Sequence, residues 1–266
     1  MKKILIVGKR GFIGTNLSKY LKKFYKVKHK SFRDTIKIKF KINNFDYVIN
    51  TSINQNYVKK KYNKKFDNDF KISNSINKSN TTYVFLSTRK IYKSKANIKE
   101  NSKLLPKSNY SKNKLITERV LQKRLGRNLV ILRISNIIGD KSKVKNIHYT
   151  FIDIFFDNLK KGFVVDNKKD FKDFISIDKF CQIIRRIIIK ELRGIFNVSI
   201  GRKVYLNDLL KWLNKFNNQK YKIKKKVIKD DCFYLNNKKL MSEIKIKNSL
   251  LELKNYCYKI SKKSFS

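Results

Sequence analysis

The stretch Ile4-Leu5-Ile6-Val7-Gly8-Lys9-Arg10-Gly11-Phe12-Ile13-Gly14 decides how the rest of the chain is read. Four consecutive apolar residues suit a strand buried on both faces of a parallel sheet. They run straight into three glycines at G-x-x-G-x-x-G spacing. A helical pattern follows, with Leu17, Tyr20, Leu21 and Phe24 on one face. The glycines answer separate needs: a tight turn, close approach of backbone to a pyrophosphate, and close packing of helix on strand. The helix start adds unpaired N–H groups and the positive end of its dipole. In a chain with only 8 glycines, a plain turn is the weaker explanation of three placed here. Gly8, Arg10, Gly11, Phe12, Ile13 and Gly14 are therefore expected to bind a dinucleotide.

Composition bounds what else the chain can be. Its 266 residues suit one large α/β domain, or one such domain with a small appendage. A hydrophobic content of 41%, with 19 Phe and 14 Tyr, supports a packed core rather than disorder. The 66 Lys and Arg against 19 acids give a formal charge of +47, which ordinarily points to nucleic acid or an anionic membrane. Lys, Asn, Ile, Phe and Tyr, all with A/T-rich codons, are heavily used. Ala occurs only at Ala96 and Pro only at Pro106, and both have G/C-rich codons. Base composition thus accounts for much of the lysine, though not for the scarcity of acids. The basic residues are spread along the whole chain, so salt-sensitive stickiness is expected and specific nucleic-acid binding is not.

Lys9 and Arg10 cut the first apolar run too short for a secretion signal, and no stretch approaches the roughly 20 apolar residues of a membrane span. Cys181, Cys232 and Cys257 are odd in number and lack metal-ligand spacing, so no metal is expected and a cytoplasmic location fits. His29 and His148 have no partner motif and read as structural or surface residues. Trp212, at helical spacing with Leu209, Leu210 and Leu213, reads as core.

The second strand is expected over Lys26 to Lys30. An acid at its end would hold the adenosine ribose and favour NAD. That place holds Ser31, followed by Arg33, and Arg10 precedes the middle glycine, where the short-chain dehydrogenase family that this turn resembles commonly carries a basic residue against a 2′-phosphate; together these favour NADP. A chain so rich in basic residues places positive charge nearly everywhere, and Asp34 becomes the ribose acid if the strand runs longer.

Tyr47-Val48-Ile49-Asn50 reads as the next strand, and Asn50-Thr51-Ser52 lies where the short-chain dehydrogenase family, which this pattern resembles, has an N-x-A-type loop beside its cofactor. Tyr83-Val84-Phe85-Leu86 is another buried strand, ending in Ser87-Thr88-Arg89-Lys90-Ile91-Tyr92. Beyond Pro106 come Tyr110-Ser111-Lys112-Asn113-Lys114 and a helix carrying Leu115, Glu118, Val120 and Leu121. The Y-x-x-x-K spacing puts both side chains on one helix face, one turn apart. A nearby ammonium favours the phenolate and brings the tyrosine toward working pH, which suits proton transfer. The spacing alone says little, because Tyr57/Lys61, Tyr221/Lys225, Tyr234/Lys238 and Tyr258/Lys262 repeat it. Context selects Tyr110: only this pair follows a Ser/Thr-ended buried strand and a proline-bearing loop, and heads an amphipathic helix.

These motifs together resemble the extended short-chain dehydrogenase/reductase family, often labelled NAD-dependent epimerase/dehydratase, over most of the chain. G-x-x-G-F-I-G is that family's usual form of the glycine turn. The resemblance implies a catalytic set of Thr88, Tyr110 and Lys114, with Ser87 as the alternative hydroxyl. Lys114 would also bind the nicotinamide ribose. Leu132-Arg133-Ile134-Ser135-Asn136-Ile137-Ile138-Gly139 is similar to the family's R-x-x-N-x-x-G strand, whose Asn touches the substrate diphosphate. Lys172-Asp173-Phe174-Ile175-Ser176-Ile177-Asp178 is similar to R-D-F/Y-I-x-V-x-D, with Lys172 in place of a phosphate-binding Arg. Lysine keeps the charge and loses the bidentate fork. Asn136 and Lys172 are thus the expected substrate contacts, against the plainer readings of a strand cap and a solvated charge. Gly194-Ile195-Phe196-Asn197-Val198 resembles the G-x-x-N-V strand. In the family's sugar 4,6-dehydratases acids follow the catalytic hydroxyl; Arg89 and Lys90 stand there, which argues against a dehydratase.

The expected architecture is a doubly wound parallel sheet of the Rossmann type with a small C-terminal substrate lobe. Residues 1–145 would form the dinucleotide-binding domain, with 173–193 returning to it, and 146–172 with 194–266 the smaller lobe. The resemblance implies an NAD(P)-dependent enzyme acting on a nucleotide-linked sugar in polysaccharide biosynthesis, with a 4-keto reduction preferred. An epimerase that retains NAD is the first alternative. A non-catalytic dinucleotide-sensing or RNA-binding relative is the second. A homodimer is compatible with each.

Overall fold

The computed structural model describes residues 1–37, 40–77, 80–139, 151–166, 170–225 and 231–265. His148 and the neighbouring stretch from 140 to 150 lie outside the described residues.

Strand β1 (Lys3–Val7) leads into helix α1 (Phe12–Leu21), which returns the chain to β2 (Lys26–Lys30). The short helix α2 (Phe32–Thr35) precedes β3 (Tyr47–Asn50). Helices α3 (Gln55–Lys59) and α4 (Asn68–Asn74) lead to β4 (Thr82–Thr88), and α5 (Asn109–Leu125) to β5 (Leu129–Ile134). Next come β6 (Asn136–Ile138), α6 (Phe151–Lys160), β7 (Phe163–Asp166), β8 (Phe171–Lys172) and β9 (Phe174–Ser176). Helix α7 (Ile177–Ile189) then leads to β10 (Gly194–Val198), β11 (Val204–Tyr205) and α8 (Leu206–Leu213). The chain closes with β12 (Lys222–Lys225), α9 (Lys238–Ile244) and α10 (Leu250–Phe265).

Six strands form one sheet in the order β10-β5-β4-β3-β1-β2, and every pairing in it is parallel. The chain steps from β1 to β2 on one side and then crosses to β3 on the other. In an open α/β sheet the carboxyl edge at that reversal is where a ligand binds. Alternation along β1 shows why the strand is apolar throughout. Ile4 and Ile6 pack with Leu17, Leu21, Phe180, Ile184 and Ile188 on one face. Leu5 and Val7 pack with Ile72, Tyr83, Phe85 and Leu121 on the other. Phe24 falls beyond the end of α1 and is exposed, so the apolar face of that helix is Leu17, Tyr20 and Leu21.

The segment from residue 194 does not begin in the smaller lobe. Gly194–Val198 is the edge strand β10, in register with Val130–Ile134 of β5. The α9 residues Leu240 and Ile244 pack on the same core as α1 and α7. A second core gathers Phe155, Leu159, Phe174, Leu209, Leu213, Leu253 and Cys257, with Trp212 partly buried against it. Among the described residues no helix is long and apolar enough to cross a membrane.

Asp173 ties these parts together. It is fully buried, and its Oδ2 accepts the Leu235 N–H at 2.9 Å. Burial pushes its carboxyl up to about 7, against the hydrogen bonds from Leu235, Ser199 and Gly201. The folded chain thus binds a proton more readily than the unfolded one, so stability falls as pH rises from about 4 to about 7. Ionising a carboxyl held so far above its ordinary range costs up to about 4 kcal/mol of stability. His29, held below its usual range by burial, works in the opposite direction. The expected result is therefore a difference: Asp173→Asn should gain on the wild type in urea denaturation between pH 4 and pH 8. A constant difference across that range would mean that Asp173 does not titrate there.

Candidate active site

The turn after β1 is shaped by what lies beneath it. Gly8 has φ +116°, a conformation that L side chains rarely adopt, and any Cβ there would run into Thr51. A Cβ on Gly14 would lie 2.5 Å from Thr51 Oγ1 and 2.6 Å from the Gly8 carbonyl. Thr51, at the end of β3, is fixed because its hydroxyl donates to the Val7 carbonyl at 2.7 Å. Gly11 differs: it is the N-cap of α1, and no side chain caps the first turn. A Cβ there would meet only Gly8 O at 3.6 Å and Thr51 O at 3.8 Å. The helix start is thus an open cradle at the sheet's reversal, as the pyrophosphate of a dinucleotide requires. A buried polar atom at the same carboxyl edge, Ser135 Oγ, has no partner among the described residues. These features fit a dinucleotide.

Strand β2 ends at Lys30, as its sequence predicts, and Ser31 caps α2. Ser31 Oγ donates to Asp34 Oδ2 at 2.7 Å and accepts from the Asp34 N–H at 3.2 Å. That hydrogen bond holds the Asp34 carboxyl below the usual range, and Lys37 adds to it. The strand does not run on, yet the turn of α2 still brings an acid back to Ser31. Arg10 and Arg33 are both exposed.

Helix α5 is anchored by a capping box between Ser108 and Ser111, which sets Tyr110 in its first turn. Lys114, one turn on, is buried, and its Nζ donates to the Leu86 carbonyl of β4 at 2.9 Å. That bond lays the helix against the end of β4, where Thr88 is buried and accepts from the Lys90 N–H. Ser87 points to the opposite face, as neighbours on a strand must. Its hydroxyl donates to Glu118 Oε1 at 2.5 Å, and Glu118 is clasped by Arg133. Thr88 is therefore the hydroxyl at the strand end that is not already committed to a carboxylate. Of the competing Y-x-x-x-K pairs, Tyr57 is buried with its hydroxyl on Thr117, and burial holds it far above the ordinary tyrosine range.

Asn136 opens β6, and both its backbone N–H and its Nδ2 donate to the Asp173 carbonyl. This brings it beside Lys172. Lys172 Nζ in turn lies 3.6 Å from Asp231 Oδ2. Nothing in the residues around Asp231 marks it beforehand. Arg89, buried next to Thr88, grips it through both terminal guanidinium nitrogens, at 3.0 and 2.5 Å, and stacks 3.7 Å over Phe233. Burial alone would raise the Asp231 carboxyl, but Arg89, Ser94 and Lys172 together hold it down to about 2. A partner 142 residues away in sequence leaves no local signal.

A parallel sheet with a glycine cradle at its reversal, and a Tyr-Lys helix beside a hydroxyl-ended strand, defines a dinucleotide-dependent short-chain dehydrogenase architecture. The model of the NAD dependent epimerase/dehydratase family matches residues 4–199, and the chain belongs to that family of enzymes. Solved structures share the fold along their whole length. The UDP-N-acetylglucosamine 4-epimerase from Methanobrevibacter ruminantium is 17% identical, with a TM-score of 0.77 and coverage of 98% of this chain and 97% of that one. A dTDP-4-dehydrorhamnose reductase from Clostridium acetobutylicum is 17% identical, with a TM-score of 0.75 and coverage of 96% and 98%. RMD from Pseudomonas aeruginosa, solved with NADPH, is 15% identical, with a TM-score of 0.79 and coverage of 100% and 98%. A search of curated protein sequences gives no match.

Proposed function

We propose that the chain is a cytoplasmic NADP-dependent reductase of a 4-keto nucleotide sugar. The observation that carries this is the Lys114–Leu86 hydrogen bond, which holds the helix of Tyr110 against the end of β4, where Thr88 lies. Gly8, Gly11, Phe12, Ile13 and Gly14 would hold the dinucleotide phosphates, with Thr51 and Ser52 alongside. When bound, the nicotinamide supplies the hydride that reduces the sugar carbonyl. Thr88 orients the carbonyl oxygen, and the Tyr110 hydroxyl delivers the proton that this oxygen gains. Lys114 stabilises the phenolate left behind until solvent reprotonates it, and binds the nicotinamide ribose. Asn136 and Lys172 face the substrate diphosphate from the lobe built on the second core.

The comparisons support this reading, since structures sharing the fold include nucleotide-sugar reductases and epimerases. The ion-paired cluster beside Thr88 adds support against a dehydratase. Asp231 is the carboxylate held there, and at about 2, gripped by Arg89, it has no proton to give. Three free cysteines agree with a reducing compartment. A second reading, the NAD-retaining epimerase, is favoured by the Asp34 carboxylate at Ser31, where the adenosine ribose would lie.

Cofactor choice separates the two. Should Arg10 and Arg33 flank a 2′-phosphate, NADPH will bind more tightly than NADH, and replacing both with alanine will erase the difference. A charge-assisted hydrogen bond contributes about 1.5–3 kcal/mol; with both arginines exposed, about tenfold overall is expected. Fluorescence titration of both dinucleotides measures it. Stoichiometric NAD retained through purification, with NADPH no better a ligand, would transfer the assignment to the epimerase.

A further inference from the structure

An acid-poor chain that buries carboxylates behind its candidate reactive helix invites the question of what each one does. Glu118 is matched by Arg133. Asp67 caps α4 and accepts from the hydroxyls of Tyr62 and Thr117. Asp69 has a different partner. Its Oδ2 lies 3.6 Å from Lys114 Nζ, and both side chains are 6% exposed. Its Oδ1 accepts from Asn50 Nδ2 and from the Tyr83 hydroxyl, each at 2.8 Å. Asn50 in turn accepts from the backbone and hydroxyl of Ser52.

We infer that Asp69 is a positioning residue for Lys114: its carboxylate holds the ammonium at the end of β4 and offsets part of the charge presented to Tyr110 and to the dinucleotide ribose. The inference rests on the role proposed above for Tyr110 and Lys114.

The chemistry of the neighbours argues for a charge at this place. Asn50 and Tyr83 need only an acceptor, which a neutral amide would supply. A buried carboxylate is costly unless a cation answers it, and Lys114 is the cation in contact. Burial pushes the Asp69 carboxyl up, against the pull of Lys114, and Asp67 adds to the rise. An ammonium has three donors. Leu86 O takes one and Asp69 draws a second, which leaves one for a ligand. Facing the pair are Asp67 at the cap of α4, Tyr57 on α3, Tyr83 on β4 and Asn50 on β3. Burial holds the hydroxyls of Tyr57 and Tyr83 far above the ordinary tyrosine range. Asp67 and Asp69 are therefore the groups able to compensate the ammonium.

The test compares Asp69→Asn with Tyr83→Phe, which deletes a hydrogen bond to the same carboxylate and leaves the ion pair intact. NADPH affinity is read by fluorescence titration, and turnover as NADPH oxidation with a 4-keto nucleotide sugar across pH. For Asp69→Asn, kcat should fall about tenfold or more with KM within about twofold. The pH–rate limb should move about one unit toward acid, as removal of a neighbouring opposite charge requires. NADPH binding should weaken severalfold. Tyr83→Phe should change none of these by more than about twofold. Should Asp69→Asn not fold, Asp69→Glu keeps the charge and displaces it, so it should lower kcat while leaving the limb in place. Unchanged kcat and pH limb in a folded Asp69→Asn, equal effects from Tyr83→Phe, or full kcat in Asp69→Glu would overturn the inference. An active Lys114→Met would instead overturn the functional reading beneath it.

Discussion

Tyr110→Phe is expected to lower turnover at least about 10²-fold, the usual cost of losing a positioned proton donor, with dinucleotide affinity nearly unchanged. The phenol ring is only partly buried, so phenylalanine fits without a cavity. The helix keeps its Ser108–Ser111 capping box, and Lys114 keeps its bond to Leu86. What disappears is the phenol O–H alone. The loss should therefore fall on kcat, since an interaction made only in the transition state leaves ground-state binding alone. NADPH oxidation with a 4-keto nucleotide sugar reads the rate, and fluorescence titration reads the affinity. An active Tyr110→Phe enzyme would mean that the proton comes from elsewhere. The four other Y-x-x-x-K pairs would then need testing, although Tyr57 is a poor substitute with its hydroxyl buried on Thr117.

The parts of this molecule that are legible in its sequence are those whose cause is local. Ile4 to Val7 must be apolar because both faces of β1 are covered, and Lys26 to Lys30 forms the edge strand at the predicted bounds. Gly8 and Gly14 can be read because a Cβ at either would collide with Thr51, and Gly8 also takes a positive φ. Tyr110 and Lys114 head α5 after a buried strand and a loop, the local context that singles them out among the repeated spacings. Contacts closed by tertiary folding leave no such trace. Asp231 reaches Arg89 across most of the chain, and nothing in the residues around either one announces the pair. Asp69 shows a subtler failure: it stands out in so basic a chain, but its meaning depends on Lys114 arriving from a helix two elements later. The place of Gly194–Val198 escapes the sequence for a related reason. Its pattern marks a strand correctly, but only pairing with β5 decides which sheet it joins.

Gly11→Val should abolish dinucleotide binding while leaving the fold standing, and the geometry of the turn explains why this glycine and not its neighbours gives that result. Gly11 has φ −84° and ψ 147°, an extended conformation open to any residue. The nearest atoms to a Cβ there are at ordinary contact distance, 3.6 and 3.8 Å. The protein should therefore lose only the modest preference of an N-cap for glycine over valine, about 1 kcal/mol, or a few degrees in Tm for a chain of this length. The valine methyls, however, stand over the uncapped first turn of α1, in the space a pyrophosphate needs. A loss of more than about 100-fold in NADPH affinity is expected, equivalent to about 2.8 kcal/mol. Gly14→Val provides the contrast. Its Cβ would meet Thr51 and the Gly8 carbonyl well inside contact distance, so that variant should lose stability as well as binding. Unchanged NADPH affinity in a folded Gly11→Val protein would show that the phosphates lie elsewhere, and the cradle at the start of α1 would then be a structural turn.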